Sequence, residues 1–359
     1  MTTAVLLLGI LLLVLGAELL VRGASRIALR FRVPRLVVGL SIVAFGTSAP
    51  ELAVSTSAAL SGQPDVALGN VVGSNTFNVL LVLGLSALLA PLRISARLIR
   101  IDVPVMIAVS GVLLAMAWNG LLGRIEGLTL LAGFAAYLVY LYRSGRSEAS
   151  EADAETEDQR SPPTGASAAL AWNIVFILSG IGLLVLGSRL LVASARDIAT
   201  QLGVSELMIG LTVVAAGTSL PELATSVVAA ARGERDIAVG NVVGSNIFNI
   251  LAILGVAATI APDGIAASPA AVTFDIPVMT AVAFLCLPVF FLRGEIARWE
   301  GAVFVGYYAA YTAYLALDAT DHGALPEFGH AMLYFVIPLT VLTLVVIAPR
   351  GLRTRRRDG

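Results

Sequence analysis

Apolar stretches long enough to cross a lipid bilayer recur along almost the whole chain, separated by short polar connections. A helix needs roughly 20 apolar residues to cross about 30 Å of hydrocarbon. Segments of that kind lie near 4–28, 35–60, 66–89, 102–118, 124–142, 171–195, 206–230, 236–260, 273–292, 300–317 and 332–349. The pattern predicts an all-α polytopic membrane protein with eleven spanning helices. Two stretches carry residues that do not suit lipid. Residues 46–52 read GTSAPEL and residues 217–223 read GTSLPEL, each placing a proline, two hydroxyls and a carboxylate near the middle of a span. A charge at the bilayer centre costs on the order of 2.5–3.5 kcal/mol even on insertion scales, so an ionisable residue at that depth points to function.

These interruptions belong to a longer internal repeat, the feature to seek before any other. GTSAPEL and GTSLPEL agree in six of seven positions, and VALGNVVGSNTFNVL from 66 matches IAVGNVVGSNIFNIL from 237 in eleven of fifteen, both at an offset of 171. Weaker echoes follow: IDVPVM from 101 against FDIPVM from 274, and RIEGLTLLAG from 124 against RWEGAVFVGY from 298. Each copy holds five spans, an odd number, so the second must enter the membrane from the opposite face. The expected architecture is two inverted-topology five-helix repeats, 1–142 and 171–317, forming a ten-helix core. An additional C-terminal helix and a basic tail occupy 318–359, and that eleventh helix is expected at the periphery. Helices broken at corresponding positions of two inverted halves mark a midplane binding site in a secondary transporter.

Composition sharpens this picture. With 359 residues, 58% hydrophobic, 13% charged and a mean hydropathy of +0.90, the chain is far from a soluble globule, whose charged fraction is about 25%. The net charge of −1 conceals an asymmetry: every basic residue is an arginine, and twenty of the 23 fall in alternate connections. The positive-inside rule then puts the 143–170 linker and the C-terminus in the cytoplasm and the N-terminus outside, in the cell (inner) membrane. A basic membrane flank accounts for the arginines, so the partner is the bilayer; nothing calls for nucleic acid or an obligate protein partner. The linker is acidic, lacks apolar periodicity and reads as disordered. Its carboxylates lack the Asp-x-Asp-x-Asp-Gly spacing of a calcium loop. The N-terminal MTTAVLLLGILLLVLG has no basic region before its apolar run and reads as an uncleaved first span. Cys286, the one cysteine, is expected in the packed interior with no intrachain disulfide.

The chemistry lies in the interrupted spans. Proline lacks an N–H and clashes with the preceding turn, which frees carbonyls upstream, and freed backbone at membrane depth persists only where protein or a polar cavity satisfies it. Carbonyls near Ala44 and Gly46, the hydroxyls of Thr47 and Ser48 and the carboxylate of Glu51 can therefore converge, with Ala215, Gly217, Thr218, Ser219 and Glu222 as the second set. All are oxygens, which selects hard cations over zinc, copper or iron. Calcium takes six to eight oxygens, and two carboxylates offset one divalent or two monovalent charges, as a site alternating between Ca2+ and Na+ requires. In GNVVGSNxFN, i and i+4 spacing puts Asn70, Ser74 and Asn78 on one helix face, and Asn241, Ser245 and Asn249 on another. Asn75 and Asn246 complete the motifs. These groups either line the cavity or hold helices together. An extramembrane turn at GTSxPE is the competing account, but it would leave halves too short to span.

Paired GTSxPE and GNxxGSNxxN motifs in inverted five-helix repeats resemble the calcium/cation antiporter superfamily, specifically its prokaryotic sodium/calcium exchangers. The resemblance covers residues 1 to about 317. It implies antiport of Na+ for Ca2+ by alternating access, with the first and sixth helices sliding against the rest. Carried over position by position, it implies a calcium site of Glu51, Glu222, Thr47, Thr218 and the carbonyls of Ala44 and Ala215. Sodium sites add Ser48, Ser219, Ser74 and Ser245, with Asn78 and Asn249 beside them. Some relatives have aspartate where this chain has Asn249, and potassium-dependent ones rely on an acid there, so asparagine argues against potassium coupling.

Other polar residues have structural readings. Glu18 is expected to pair with Arg22 at i+4, because its repeat counterpart is Arg189 and a symmetric site would not swap charge. Asp102 and Asp275 precede Val-Pro and Ile-Pro and are expected to cap helix N-termini. An intramembrane aspartyl protease would need an aspartate pair sharing a proton, and the chain lacks its Gly-x-Gly-Asp setting; no enzymatic activity and no cofactor are expected. A proton/calcium antiporter remains the alternative, since a carboxylate serves either coupling ion.

Overall fold

The computed structural model describes residues 2–31, 33–155, 166–202, 215–320 and 322–338. Helix α1 (Thr2–Phe31) is followed by a bent pair, α2 (Arg35–Thr47) and α3 (Ala49–Leu60), which meet at 48°. Next come α4 (Asp65–Leu89), α5 (Leu98–Ala117) and α6 (Arg124–Glu155). The second half opens with α7 (Ala166–Gln201). A helical turn Ala215–Gly217 then leads to α8 (Leu220–Ala231), α9 (Arg235–Ile260), α10 (Ala271–Phe291) and α11 (Arg298–Ala319). Helix α12 (Leu325–Ala331) begins the C-terminal segment. Among the described residues, seven helices are long and apolar enough to cross a membrane, and the bent pair makes an eighth. The protein is thus an all-α polytopic membrane protein.

Two of the predicted spans fall partly outside the described residues: the first part of 206–230 and most of 332–349. The 143–170 linker is corrected in part. Helix α6 continues through Glu155 and α7 starts at Ala166, so ordered helix enters this segment from both ends. Alanine and glutamate are good helix formers, and a strong upstream helix propagates through them without an apolar face of its own. Residues 156–165 are outside the described set.

Close packing comes from glycine. Helices α1 and α7 run antiparallel with their backbones in contact: a Cβ on Gly16 would sit 2.8 Å from the Gly180 carbonyl, and one on Gly187 would sit 2.8 Å from the Gly9 carbonyl. Without a hydrophobic drive between helices in lipid, small residues that let backbones touch supply the association. A second pair of contacts is reciprocal between the halves. Gly84 of α4 meets Gly301 of α11, and Gly127 of α6 meets Gly255 of α9, positions that the repeat interchanges, Gly84 with Gly255 at the offset of 171 and Gly127 with Gly301 in the RIEG and RWEG echo.

The connections follow the same rule. Two short strands, β1 (Leu92–Arg93) and β2 (Leu121–Leu122), belong to the first half, while β3 (Ile265–Ala266) and β4 (Glu295–Ile296) belong to the second. Strand β1 pairs antiparallel with β4, and β2 with β3, so each half supplies one strand to each of two ribbons. Connections read from the arginine pattern as lying on one face are the ones that pair. Arg35 likewise bonds Glu234 at 2.6 Å across the halves.

Cys286 is buried, in line with a packing role. Glu18 pairs with Arg22 as expected, and also with Arg232 at the end of α8. The capping roles of Asp102 and Asp275 are corrected. Both have helical backbone angles and no side-chain cap bond; each instead closes a wide π turn that forms the start of its helix, Leu98–Asp102 in α5 and Ala271–Asp275 in α10. Their carboxylates accept from Tyr137 (3.5 Å) and Tyr311 (3.3 Å) on the neighbouring helices α6 and α11. A side chain held by a tyrosine across a helix interface is not free to turn back onto its own N-terminus.

Candidate cation site between the two broken helices

Each GTSxPE segment breaks its helix in the same way. Pro50 and Pro221 occupy the first turns of α3 and α8, where a missing N–H costs nothing. The bend falls on the preceding serines, Ser48 (φ −83°, ψ 8°) and Ser219 (φ −89°, ψ 6°). Glu51 and Glu222 therefore sit in the first turn of a helix that starts inside the protein, where the helix dipole favours a negative charge. Both are fully buried, as are Ser48 and Ser219.

The two breaks are interleaved. Ser48 donates to Glu222 Oε1 at 2.8 Å, and Ser219 donates to Glu51 Oε1 at 2.9 Å. Ser74 of α4 joins through Ser219 at 2.9 Å, and Ser245 of α9 lies 3.4 Å from Glu222 Oε1. Thr47 donates to Asn241 Oδ1 at 3.0 Å and Thr218 to Asn70 Oδ1 at 3.2 Å, again across the halves. Asn70 and Asn241 reach back to the carbonyls of Glu51 (3.3 Å) and Glu222 (3.4 Å). Glu51, Glu222, Ser48, Ser219, Ser74, Ser245, Thr47 and Thr218 thus form one network, buried except for the half-buried Thr218, with Asn78 and Asn249 beside it at the start of wide turns Asn78–Val82 and Asn249–Leu254. Such turns open the i→i+4 ladder and occur at functional sites.

Four buried oxygens in this region meet no hydrogen-bond donor: Glu51 Oε2, Glu222 Oε2, Asn78 Oδ1 and Asn249 Oδ1. Burying an acceptor without a partner costs about 1–3 kcal/mol, more when charged, and such groups in a folded protein call for an explanation such as an ion. Two carboxylates and two amide carbonyls suit a hard cation. Among the described residues there is no cluster of three or more His, Cys, Asp or Glu, so the acids number two and the rest of the set is neutral oxygen.

The backbone carbonyls behave less simply than the sequence suggests. The Ala44 carbonyl accepts from the Ser48 N–H at 3.0 Å and lies 3.3 Å from Thr47 Oγ1. The Gly217 carbonyl, freed by Pro221, is taken by Ser188 of α7 at 2.5 Å. Ala215 lies in the helical turn Ala215–Gly217, and its side chain is outside the described set. Sequence reasoning also passed over Ser55 and Ser226, which accept from Asn70 (2.9 Å) and Asn241 (3.0 Å). They stand at the repeat offset of 171, a signal that was present but diluted by small residues around it.

A buried, all-oxygen site between two broken helices of a polytopic membrane protein defines a membrane transporter, not an enzyme. The profile of the sodium/calcium exchanger protein family matches residues 1–143 and 172–317. The putative antiporter CaxA of Alkalimonas amylolytica is 41% identical over 85% of this chain and 97% of its own length. The sodium/calcium exchanger MaX1 of Methanosarcina acetivorans is 32% identical over 87% of this chain and 97% of its own. A solved structure of the sodium-calcium exchanger NCX_Mj superposes with a TM-score of 0.74 and 31% identity, covering 88% of this chain and 98% of that one. The chain belongs to the sodium/calcium exchanger family.

Proposed function

We propose that this protein exchanges Na+ for Ca2+ across the cell membrane by alternating access, with Glu51 and Glu222 holding the cation between the halves. The four donor-free buried oxygens around the broken helices carry this reading. Thr47, Thr218 and the carbonyls of Ala44 and Ala215 complete the Ca2+ set, and Ser48, Ser219, Ser74 and Ser245 share Na+, with Asn78 and Asn249 at the margin. Ca2+ and Na+ are substrates of the same acidic pair, which offsets one divalent or two monovalent charges. The names of MaX1 and NCX_Mj support sodium as the coupling ion. The backbone contact of α1 with α7 lets these helices move as one unit past the interleaved breaks.

The functional unit is the pair of inverted five-helix repeats, 1–142 and 171–317; the 143–170 linker joins them in the cytoplasm, and 318–359 is accessory. The arginine distribution supports a cytoplasmic C-terminus and an N-terminus on the outside. A compartment-sensitive reporter fused to the C-terminus should read cytoplasmic, and a signal from the opposite side would overturn this orientation. Function itself is tested by Ca2+ uptake into proteoliposomes under an imposed sodium or proton gradient of equal size. Uptake is expected with the sodium gradient alone. Uptake driven by protons and indifferent to sodium would make the protein a proton/calcium antiporter and contradict the coupling ion.

A further inference from the structure

We propose that Asn75 and Asn246 are positioning residues that fix which atom of Asn249 and Asn78 faces the cation. An asparagine amide has one end that accepts and one that donates, so a neutral asparagine is a cation ligand only when its oxygen is turned inward. The structure contains a device that decides this.

Asn75 Nδ2 lies 3.2 Å from the backbone carbonyl of Asn246 and 3.6 Å from Met279 Sδ. Both partners only accept, so the amide nitrogen must take this position and Asn75 Oδ1 must point the other way. There it accepts from Asn249 Nδ2 at 3.0 Å. With its nitrogen committed, Asn249 turns Oδ1 away from Asn75, to a buried position that no donor reaches. The reciprocal chain has the same sense. Asn246 Nδ2 lies 3.3 Å from the Asn75 carbonyl and 3.6 Å from Met106 Sδ, and Asn246 Oδ1 accepts from Asn78 Nδ2 at 3.2 Å, leaving Asn78 Oδ1 without a donor. The anchor of each chain is a main-chain carbonyl of the opposite half, which cannot flip. All four asparagines are buried.

The relay rests on the proposed cation site and adds a specificity element to it: two neutral amides are made oxygen-only ligands without adding charge. A carboxylate at the same position needs no such device, because either orientation presents an oxygen. That difference is the test. Equilibrium binding of Ca2+ to the purified full-length protein is measured for Asn75→Ala in the parent and in an Asn249→Asp background. Asn75→Ala should weaken binding about ten- to hundredfold in the parent, the usual effect of removing a group that orients a metal ligand; in the Asn249→Asp background, where the carboxylate would face Asn75 Oδ1 acceptor to acceptor, it should leave binding unchanged or strengthen it. An equal loss in both backgrounds would show that Asn75 acts through packing, and no loss in the parent would show that it orients nothing; either overturns the relay. If Asn75→Ala does not fold, Asn246→Ala with Asn78→Asp runs the same cycle. Glu51→Gln is the control on the site itself: if it binds Ca2+ like the parent, the cation site is wrong, whereas its failure alongside a fully binding Asn75→Ala removes the relay alone.

Discussion

Glu51→Gln and Glu222→Gln each abolish Ca2+ exchange while the protein still folds and inserts. Glutamine keeps the volume of glutamate and an oxygen that accepts from Ser219 or Ser48, so packing and the interleaving of the breaks survive. What is lost is one of two negative charges. At an effective dielectric near 20, one pair of unit charges 4 Å apart is worth about 4 kcal/mol, so removing one carboxylate weakens Ca2+ binding by on the order of a thousandfold or more. The amide also brings a donor into a pocket of buried acceptors, which stabilises the ion-free protein. Uptake in proteoliposomes, normalised to folded protein by size-exclusion elution, checks this. Transport near the parental rate by either variant would sink the assignment of these carboxylates.

Gly180→Ala has the second large effect, and Gly182→Ala supplies its contrast. At Gly180 a Cβ would lie 2.7 Å from the Leu20 nitrogen and 2.8 Å from the Gly16 carbonyl, both backbone atoms of α1 that cannot rotate aside. At Gly182, two residues on and exposed, a Cβ meets nothing within 4 Å. Overpacking costs about 1–3 kcal/mol, while glycine to alanine in an open helix gains up to about 1 kcal/mol. Gly180→Ala is therefore expected to lower the thermal unfolding temperature in detergent and impair transport, and Gly182→Ala to leave both unchanged or raise the temperature. Equal behaviour of the two would mean that α1 and α7 do not pack backbone to backbone.

Much of the fold and the site is legible in the chain because lipid makes polar residues conspicuous. GTSAPEL and GTSLPEL stand out against their flanks, and the offset of 171 pairs them on sequence grounds alone. The arginine pattern puts the connections carrying β1 and β4 on one face and those carrying β2 and β3 on the other, and these are the pairs that bond. Three-dimensional partnerships are less visible. The sequence places Ser48 beside Glu51, but the bond runs from Ser48 to Glu222, because interleaving is a property of how two halves dock. Asp102 carries the local signature of a cap, yet a wide turn and Tyr137 from another helix redirect it. Met106 and Met279 sit in the IDVPVM and FDIPVM echo, but nothing in a methionine announces that its sulfur will accept from an asparagine. The continuation of helix to Glu155 is hidden because a polar run without periodicity reads as coil even when its residues also favour helix.

The most direct measurement is anomalous diffraction from crystals of the protein equilibrated with Ca2+ and then with excess Na+. A Ca2+ peak is expected at coordinating distance, about 2.3–2.6 Å, from both Glu51 Oε2 and Glu222 Oε2, and it should vanish when Na+ replaces Ca2+. A Ca2+ peak elsewhere in the membrane region, with these two carboxylates bound to no ion, would contradict the account.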